Sequence, residues 1–350
     1  MIRAAVVCYC FLTAAMVSAA EPASRLLHPT ALDREVDAAV ARAITFLLQH
    51  QRPNGGWVID QYQGETTSAA SLAMMACLGA GHVPGDSPFD SALQRGLQYI
   101  LDHQRPDGML IDKHGHGPLY CHGISTLYLA EVAGMTKGNQ AAACRQALER
   151  AVLLILNSQD VGKAARHAGG WRYLPQSTDS DLSVTAWQLL ALRAAKNVGC
   201  DIPADAIDRA VAYVKQCSPN NNRGFAYQPG QAAAPTMTAA GITALQVCGL
   251  SDDPLIAGSV DLLRRRLPRT NDTHYLYGAY YTAVALHHHG GEAWEQTEPT
   301  LFRELLSRQQ PDGGWLPGNG AEAPLGRIYS TSLAVLALTV EYGYLPIYQK

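Results

Sequence analysis

The absences in the chain narrow its chemistry first. It has no Cys-x-x-Cys pair, no phosphate-binding glycine loop, no Gly-x-Ser-x-Gly elbow and no dinucleotide fingerprint. Zinc-knuckle, thiol-redox, nucleotide-driven and α/β-hydrolase chemistry therefore have no motif to rest on. Charge is scarce and balanced, with 27 Lys and Arg against 30 Asp and Glu for a formal net charge of -3. That balance gives nothing to draw nucleic acid or an anionic membrane surface, so no nucleic-acid partner is expected. The one run of like charge, Arg264-Arg265-Arg266, reads as the end of a surface helix.

Long apolar runs are missing too, except at the start. Arg3 precedes a nearly unbroken apolar stretch from Ala4 to Val17, followed by the small residues Ser18-Ala19-Ala20. This is the pattern of a secretory signal peptide over residues 1–20. Cys8 and Cys10 lie inside the run, so no lipobox follows it. No later stretch reaches eighteen apolar residues without a charge, so no transmembrane anchor is expected after cleavage. The expectation is an exported, periplasmic or extracellular chain of bacterial type. Residues 21–350 then carry six scattered cysteines, Cys77, Cys121, Cys144, Cys200, Cys217 and Cys248. An oxidising compartment allows one or two pairs to bridge, with no pairing dictated by spacing.

The strongest positive signal is internal repetition. Four segments end a helical pattern in nearly the same words: Gln51 to Gly55-Gly56-Trp57, Gln104 to Gly108, Gln310-Pro311-Asp312-Gly313-Gly314-Trp315, and Gln159 with Gly169-Gly170-Trp171. Arg223-Gly224-Phe225 is a weaker copy. The spacings Gly56–Gly108, Gly108–Gly170 and Gly170–Gly224 are 52, 62 and 54 residues, and Gly224–Gly314 is 90, room for one degenerate unit. Six units result, near residues 32–80, 90–135, 140–199, 203–249, 254–290 and 297–343.

Each unit begins with an amphipathic helix, as in Val36, Val40, Ile44 and Leu47. Proline and glycine end it, glutamine can bond its orphan backbone groups, and the indole packs over the turn. The second helix of each unit is apolar nearly all round, as in 66–80, 183–195, 236–247 and 330–340. Such a helix must be buried. Six pairs with apolar, alanine-rich inner helices predict an all-α fold, a closed α6/α6 toroid in one domain, in preference to an open solenoid with a polar groove.

These glutamine–glycine–tryptophan junctions resemble the QW motifs of squalene-hopene and oxidosqualene cyclases, which share an α6/α6 toroid with protein prenyltransferase β-subunits. The whole region 21–350 is similar to bacterial prenyltransferase and squalene-oxidase repeat proteins. The resemblance makes Gln51, Gly56, Trp57, Gln104, Gly108, Trp171, Gln310, Gly314 and Trp315 structural braces. It speaks to fold and leaves chemistry open.

The resemblance also supplies two catalytic templates. Cyclases of this kind protonate an alkene with the central acid of Asp-x-Asp-Asp-Thr-Ala. The matching stretch is Asp181-Leu182-Ser183-Val184-Thr185-Ala186, with Ser183 in the acid's place. Asp179 and Asp181 read alternatively as caps of the following helix. The chain also lacks the second α-domain that encloses squalene in those enzymes, so polyene cyclisation is not expected. Prenyltransferases hold zinc with Asp, Cys and His. Here Cys121, His274 and Asp181 are the available donors, but Leu119 stands where the family's Asp belongs. No cofactor is expected. The complement-type thioester sequence is absent as well. His287-His288-His289 reads as a solvated helix end and His114-Gly115-His116 as loop.

If the ring closes, the starts of its inner helices line a pocket. Tyr120, His122, Asp181, His274, Tyr277 and Tyr329 are the candidate ligand-binding residues. Asp181, His122, His274 and Glu65 are the candidate catalytic groups, with Glu65 and Asp181 the pair a sugar-active enzyme would need. Three functions stay open: binding of an apolar, isoprenoid-type small molecule in the central cavity, a non-catalytic scaffold for another exported protein, and a sugar-active toroid enzyme.

Overall fold

Two kinds of helix alternate along the chain, and side-chain polarity sorts them into two layers. A computed structural model describes residues 29–60, 64–85, 87–112, 117–219 and 223–349. The expected signal peptide at 1–20 and His114-Gly115-His116, expected to be loop, lie outside the described residues. The outer helices are α1 (Ala31–Gln49), α3 (Asp90–Asp102), α5 (Gly138–Gln159), α7 (Ala204–Gln216), α9 (Pro254–Arg265) and α11 (Gly291–Leu306). Alternating with them are the inner helices α2 (Thr67–Gly79), α4 (Pro118–Ala133), α6 (Leu182–Asn197), α8 (Pro235–Val247), α10 (Tyr275–His289) and α12 (Gly326–Leu338). No helix among the described residues is long and apolar enough to cross a membrane.

Helix α1 buries one stripe, Val36, Ala39, Val40, Ala43, Ile44, Phe46 and Leu47. Helix α2 buries every residue except Ser68, because its faces meet an outer helix, two inner neighbours and the ring axis. Each inner helix packs on the next, and α12 packs back on α2 while α11 meets α1. The ring is closed, an α6/α6 toroid.

The junctions close it. The Gln51 amide donates to Gly55 O (3.1 Å) and across to Ala92 O of α3 (2.9 Å), and its oxygen accepts from Arg95 Nη2 (3.0 Å). Gln104 does the same with Gly108 O, Ala147 O and Arg150. Gln159 repeats it with Gly169 O, Ala206 O and Arg209. Outer helices α3, α5 and α7 thus each present an Ala-x-x-Arg pair to the junction before them. The turn glycine lies against the backbone of the same arginine: a Cβ on Gly55, Gly108, Gly169 or Gly313 would come within 2.5 Å of that carbonyl oxygen, and all four have φ near +90°. Only glycine accepts both demands. The indoles of Trp57, Trp171 and Trp315 donate back to Leu47 O, Ile155 O and Leu305 O of their own outer helices.

The last junction corrects the sequence reading. Gln309, not Gln310, is the brace: its amide donates to Gly313 O (2.9 Å) and to Ala39 O of α1 (2.7 Å), and its oxygen accepts from Arg42. Gln310 is half-buried, and its amide donates only to the nearby Arg308 O. The left-handed glycine is correspondingly Gly313, with Gly55 and Gly169 as its equivalents in the first and third junctions. Gly56, Gly170 and Gly314 follow it. Two adjacent glutamines and two adjacent glycines hid the register, which hydrogen-bond reach across to α1 decides.

Junctions four and five are degenerate. Gly224 N–H donates to Ser259 Oγ (3.0 Å) in the fourth. In the fifth, Arg266 pairs with Asp272 at 2.6 Å, and α10 is capped from far away. Buried Glu322 accepts from Leu276 N (3.0 Å) and Tyr277 N (2.8 Å), replacing the local cap that His274 does not provide.

At the far end, the turn Pro346–Tyr348 packs against α6. Ile347 N–H donates to buried Glu131 Oε2 at 3.2 Å, and the hydroxyls of Tyr348 and Tyr280 are hydrogen-bonded. Above them Trp187 stacks on Tyr280 (5.9 Å between centroids, 11° between planes) and meets Tyr281 edge-on. That half of the ring is solid core. The six cysteines among the described residues are free thiols, five of them buried.

Gln309→Ala should lower unfolding free energy by about 1–3 kcal/mol, since it removes three hydrogen bonds and strands Arg42. Gln310→Ala should stay within about 0.5 kcal/mol of the parent. Urea denaturation of both variants checks the assignment, and equal effects would contradict it.

Candidate functional site

The remaining opening lies at the other rim. On the inner helices, Cys121, Ile124, Ser183, Met237, Tyr277 and Ile328 keep a sliver of exposure, between 4% and 8%, and all six lie in the first two turns. Half-buried Tyr120, Tyr173, Tyr227 and Tyr329 surround this mouth. The part of the ring interior that reaches solvent at this rim is therefore the set of inner-helix starts.

Its floor is a row of hydroxyls. Ser183 on α6 bonds the Tyr120 hydroxyl from α4 and the Tyr277 hydroxyl from α10, the latter at 3.0 Å. Tyr173 and Tyr227 bond each other across junctions three and four. The Tyr120 and Tyr173 rings lie 5.9 Å apart. Burial pushes the Tyr120 and Tyr329 phenols well above their ordinary range, and Tyr277 to about 12. These hydroxyls are therefore neutral donors and acceptors, with no acid among them.

Asp181 is fully buried and caps α6, its Oδ1 accepting from Val184 N–H at 2.9 Å. Burial raises its carboxyl to about 7, against the pull of the Val184 bond and the Arg172 guanidinium. Arg172 Nη1 lies 3.9 Å from Asp181 Oδ2. Its guanidinium stands over the Tyr173 and Tyr227 rings at 4.8 and 5.6 Å.

His122 is a brace, fully buried inside the wall. Leu110 N–H donates to its Nδ1 at 3.1 Å, and its Nε2 bonds Ala151 O at 3.0 Å. Thr185, Thr238 and Thr331 accept the same backbone N–H in other units, from Trp171, Phe225 and Trp315. Histidine fills a threonine's slot, and burial lowers its pKa to about 4.

The other sequence candidates disperse. Buried Cys121 donates its thiol to Ser68 Oγ (3.4 Å), and burial pushes it up to about 11. His274 is exposed on the rim, edge-on to Tyr277 at 6.5 Å. Cys121, His274 and Asp181 do not gather. Among the described residues the one His/Cys/Asp/Glu trio with donors within 4.8 Å of one another is Asp33, Glu298 and Glu341, away from the mouth. Glu65 accepts from Asn54 Nδ2 (2.6 Å) at the first junction, whereas Asp181 is held at the third, so the two carboxylates belong to separate junctions.

Sequence reasoning missed Arg172, Tyr173 and Tyr227. A signal was present: Trp171-Arg172-Tyr173 and Phe225-Ala226-Tyr227 place a tyrosine two residues after the junction aromatic in consecutive units.

Residues 20–267 match the family described as Prenyltransferase alpha-alpha toroid domain. A lanosterol synthase of Candida albicans is 31% identical over 87 residues, 23% of this chain and 12% of that protein. A drimenyl diphosphate synthase of Streptomyces showdoensis is 27% identical over 195 residues, 55% of this chain and 33% of that protein. The chain thus spans a third or less of these curated relatives. Among solved structures, the type II terpene cyclase MstE from Scytonema aligns at TM-score 0.55 and 17% identity, covering 90% of this chain and 99% of that one. A glycosidase aligns at TM-score 0.61 and 15% identity, covering 89% and 98%. At such identities the structural likeness is one of fold alone.

The depressed His122 pKa fixes a sign. The unfolded chain takes up a proton near 6.5 and the folded chain only near 4, so the neutral-histidine contribution is complete above 6.5 and is lost as pH falls toward 4. The parent should lose up to about 1.4 kcal/mol per pH unit across that window from this residue. His122→Ala should be destabilised at pH 7, with that acid-side slope reduced. Urea midpoints at several pH values test both, and an unchanged slope would refute the assignment.

Proposed function

The chain belongs to the Prenyltransferase alpha-alpha toroid domain family, and on that premise we propose that it is an exported protein that binds an apolar, isoprenoid-type ligand in the tyrosine-ringed recess without cyclising it. The observation that carries this reading is Ser183, seated between two phenols where the resembling cyclases need an acid. Protonating an alkene demands an acid stronger than an ordinary carboxyl, and a serine hydroxyl is far weaker. Nor does Asp181 substitute for it. One of its oxygens is held by the α6 cap, and burial shifts its acidity in the wrong direction.

Binding itself has support in the lining. Ile124, Met237 and Ile328 supply apolar contact at the inner-helix starts, and the tyrosines add flat faces with polar edges. The comparisons agree in kind: two relatives are named for terpenoid synthesis, and the MstE structures include one with geranylgeranyl dihydroxybenzoate as substrate. The residue 1–20 signal pattern supports export.

A C15–C20 prenyl chain should bind saturably, and Tyr277→Ala should weaken it about tenfold or more by opening the floor of the recess. Prolonged incubation should return the chain uncyclised by gas chromatography with mass detection. A cyclised product would end the non-catalytic reading, and an absence of binding would favour a protein-binding scaffold. Fractionation of the native host, with N-terminal sequencing, should find the chain outside the cytoplasm and beginning near Glu21.

A further inference from the structure

Glu131 is the one acidic residue on the six inner helices. It lies near the far end of α4, is 3% exposed, and takes one hydrogen bond among the described residues, from Ile347 N–H at 3.2 Å. A single bond of that length does not offset the hydration a buried carboxyl loses, so ring stability does not account for the residue. The segment it holds has few other ties. Upstream, Glu341 accepts from Trp294 Nε1 (2.6 Å) and the Tyr342 hydroxyl donates to Asp37, fixing the chain to α11 and α1 as far as Tyr342. Gly343 follows with φ +65° and open space where a side chain would stand. Beyond it, two hydrogen bonds join residues 344–349 to the ring among the described residues. Ile347 bonds Glu131, and the Tyr348 hydroxyl bonds that of Tyr280. Leu345, Ile347 and Tyr348 are nonetheless buried, with Leu345 beside Gly79 of α2. Tyr280 stands one turn below Tyr277, so Tyr348 reaches the layer directly beneath the recess.

We propose that residues 344–349 are a displaceable plug, hinged at Gly343 and latched by Glu131, whose withdrawal opens the ring axis from the far rim to an apolar ligand. The plug concerns the end of the axis opposite the mouth, so it stands apart from the isoprenoid reading of the recess. Its latch is linked to a proton. Burial pushes the Glu131 carboxyl up to about 8, against the pull of the Ile347 bond, whereas withdrawal of the plug returns it to water and toward its ordinary 4.5. The phenols facing it, Tyr280 and Tyr348, are pushed above their ordinary range and stay neutral. Cys77 of α2 and Cys144 of α5, each raised to about 12 by burial, are neutral as well. Arg193 of α6 turns instead to Val247 O of α8 (3.0 Å). The closed plug therefore keeps a proton that the open one releases between about 4.5 and 8. Closure is tightest below that window and weakens by up to about tenfold per pH unit as pH rises through it.

Hydrogen–deuterium exchange of the full chain between about pH 5 and pH 8, corrected for the base-catalysed rate and read by mass spectrometry, tests the latch. At every pH, residues 344–349 should be about tenfold or more less protected than α4 and α6. Their protection should fall by up to about tenfold per pH unit. Nile red, a neutral apolar dye, should gain affinity by the same factor, since only the open form admits it. Glu131→Gln keeps an acceptor for Ile347 N–H and removes the titration, so both slopes should flatten. Protection of 344–349 that is independent of pH in the parent would overturn the latch, as would a slope that survives in Glu131→Gln. Exchange of 344–349 only together with α4 would show the segment to be fixed core and overturn the plug. Falling protection with unchanged dye affinity would overturn the entrance. The parent series requires no variant to fold.

Discussion

The ring depends on a bond between four of its six junctions and the next outer helix. A glutamine amide reaches forward to an alanine carbonyl, and an arginine one turn on reaches back to the glutamine oxygen. Between them the turn glycine comes so close to the outer helix that no side chain is tolerated. In an open array the last such brace would have no partner. Here Gln309 and Arg42 join the sixth junction to the first helix, so closure uses the same interaction as propagation. Where the brace is missing, other bonds stand in: Gly224 N–H donates to Ser259 Oγ at junction four, and at junction five the cap of α10 comes from Glu322, 45 residues away.

Closure also decides what the inner-helix starts can do. In four units the same slot, in the first two turns of the inner helix, holds Thr185, Thr238, Thr331 or His122, and in each case it accepts the N–H leaving the junction. Chemistry at the mouth is confined to the neighbouring positions that turn toward the axis. In α6 these begin at Ser183, which explains why one substitution there changes the character of the recess from acidic to neutral and hydroxylic. The far half of the ring is filled by Trp187, Tyr280, Tyr281 and the Pro346–Tyr348 turn, leaving only the mouth.

Burying carboxyls in such a ring has a uniform consequence. Glu131 rises to about 8, Glu322 to about 7 and Asp181 to about 7, each chiefly through loss of water. Each contributes stability that is complete below its unfolded value and lost as pH rises through its folded one, opposite in sign to His122. The toroid thus has opposing titrations on its two sides of neutrality, set by residues that brace or plug it and, for Asp181, by one that also borders the recess.

The sequence alone determined the repeat count, the sorting of amphipathic from all-apolar helices, the closed all-α class and the glutamine–glycine–tryptophan braces, because those depend on periodicity and local turn chemistry. It also showed Ser183 in place of an acid. It could not choose between Gln309 and Gln310, since only the reach to Ala39, 270 residues away, separates them. It listed His122 with Tyr120 as mouth residues, although one faces the wall and the other the axis, a difference of helical rotation. It offered Cys121, His274 and Asp181 as one donor set and Glu65 with Asp181 as one acid pair, and the ring places them apart. The Arg172–Asp181 pair was invisible for the same reason. A contact 3.9 Å wide exists only once two junctions and an inner helix are fixed around it.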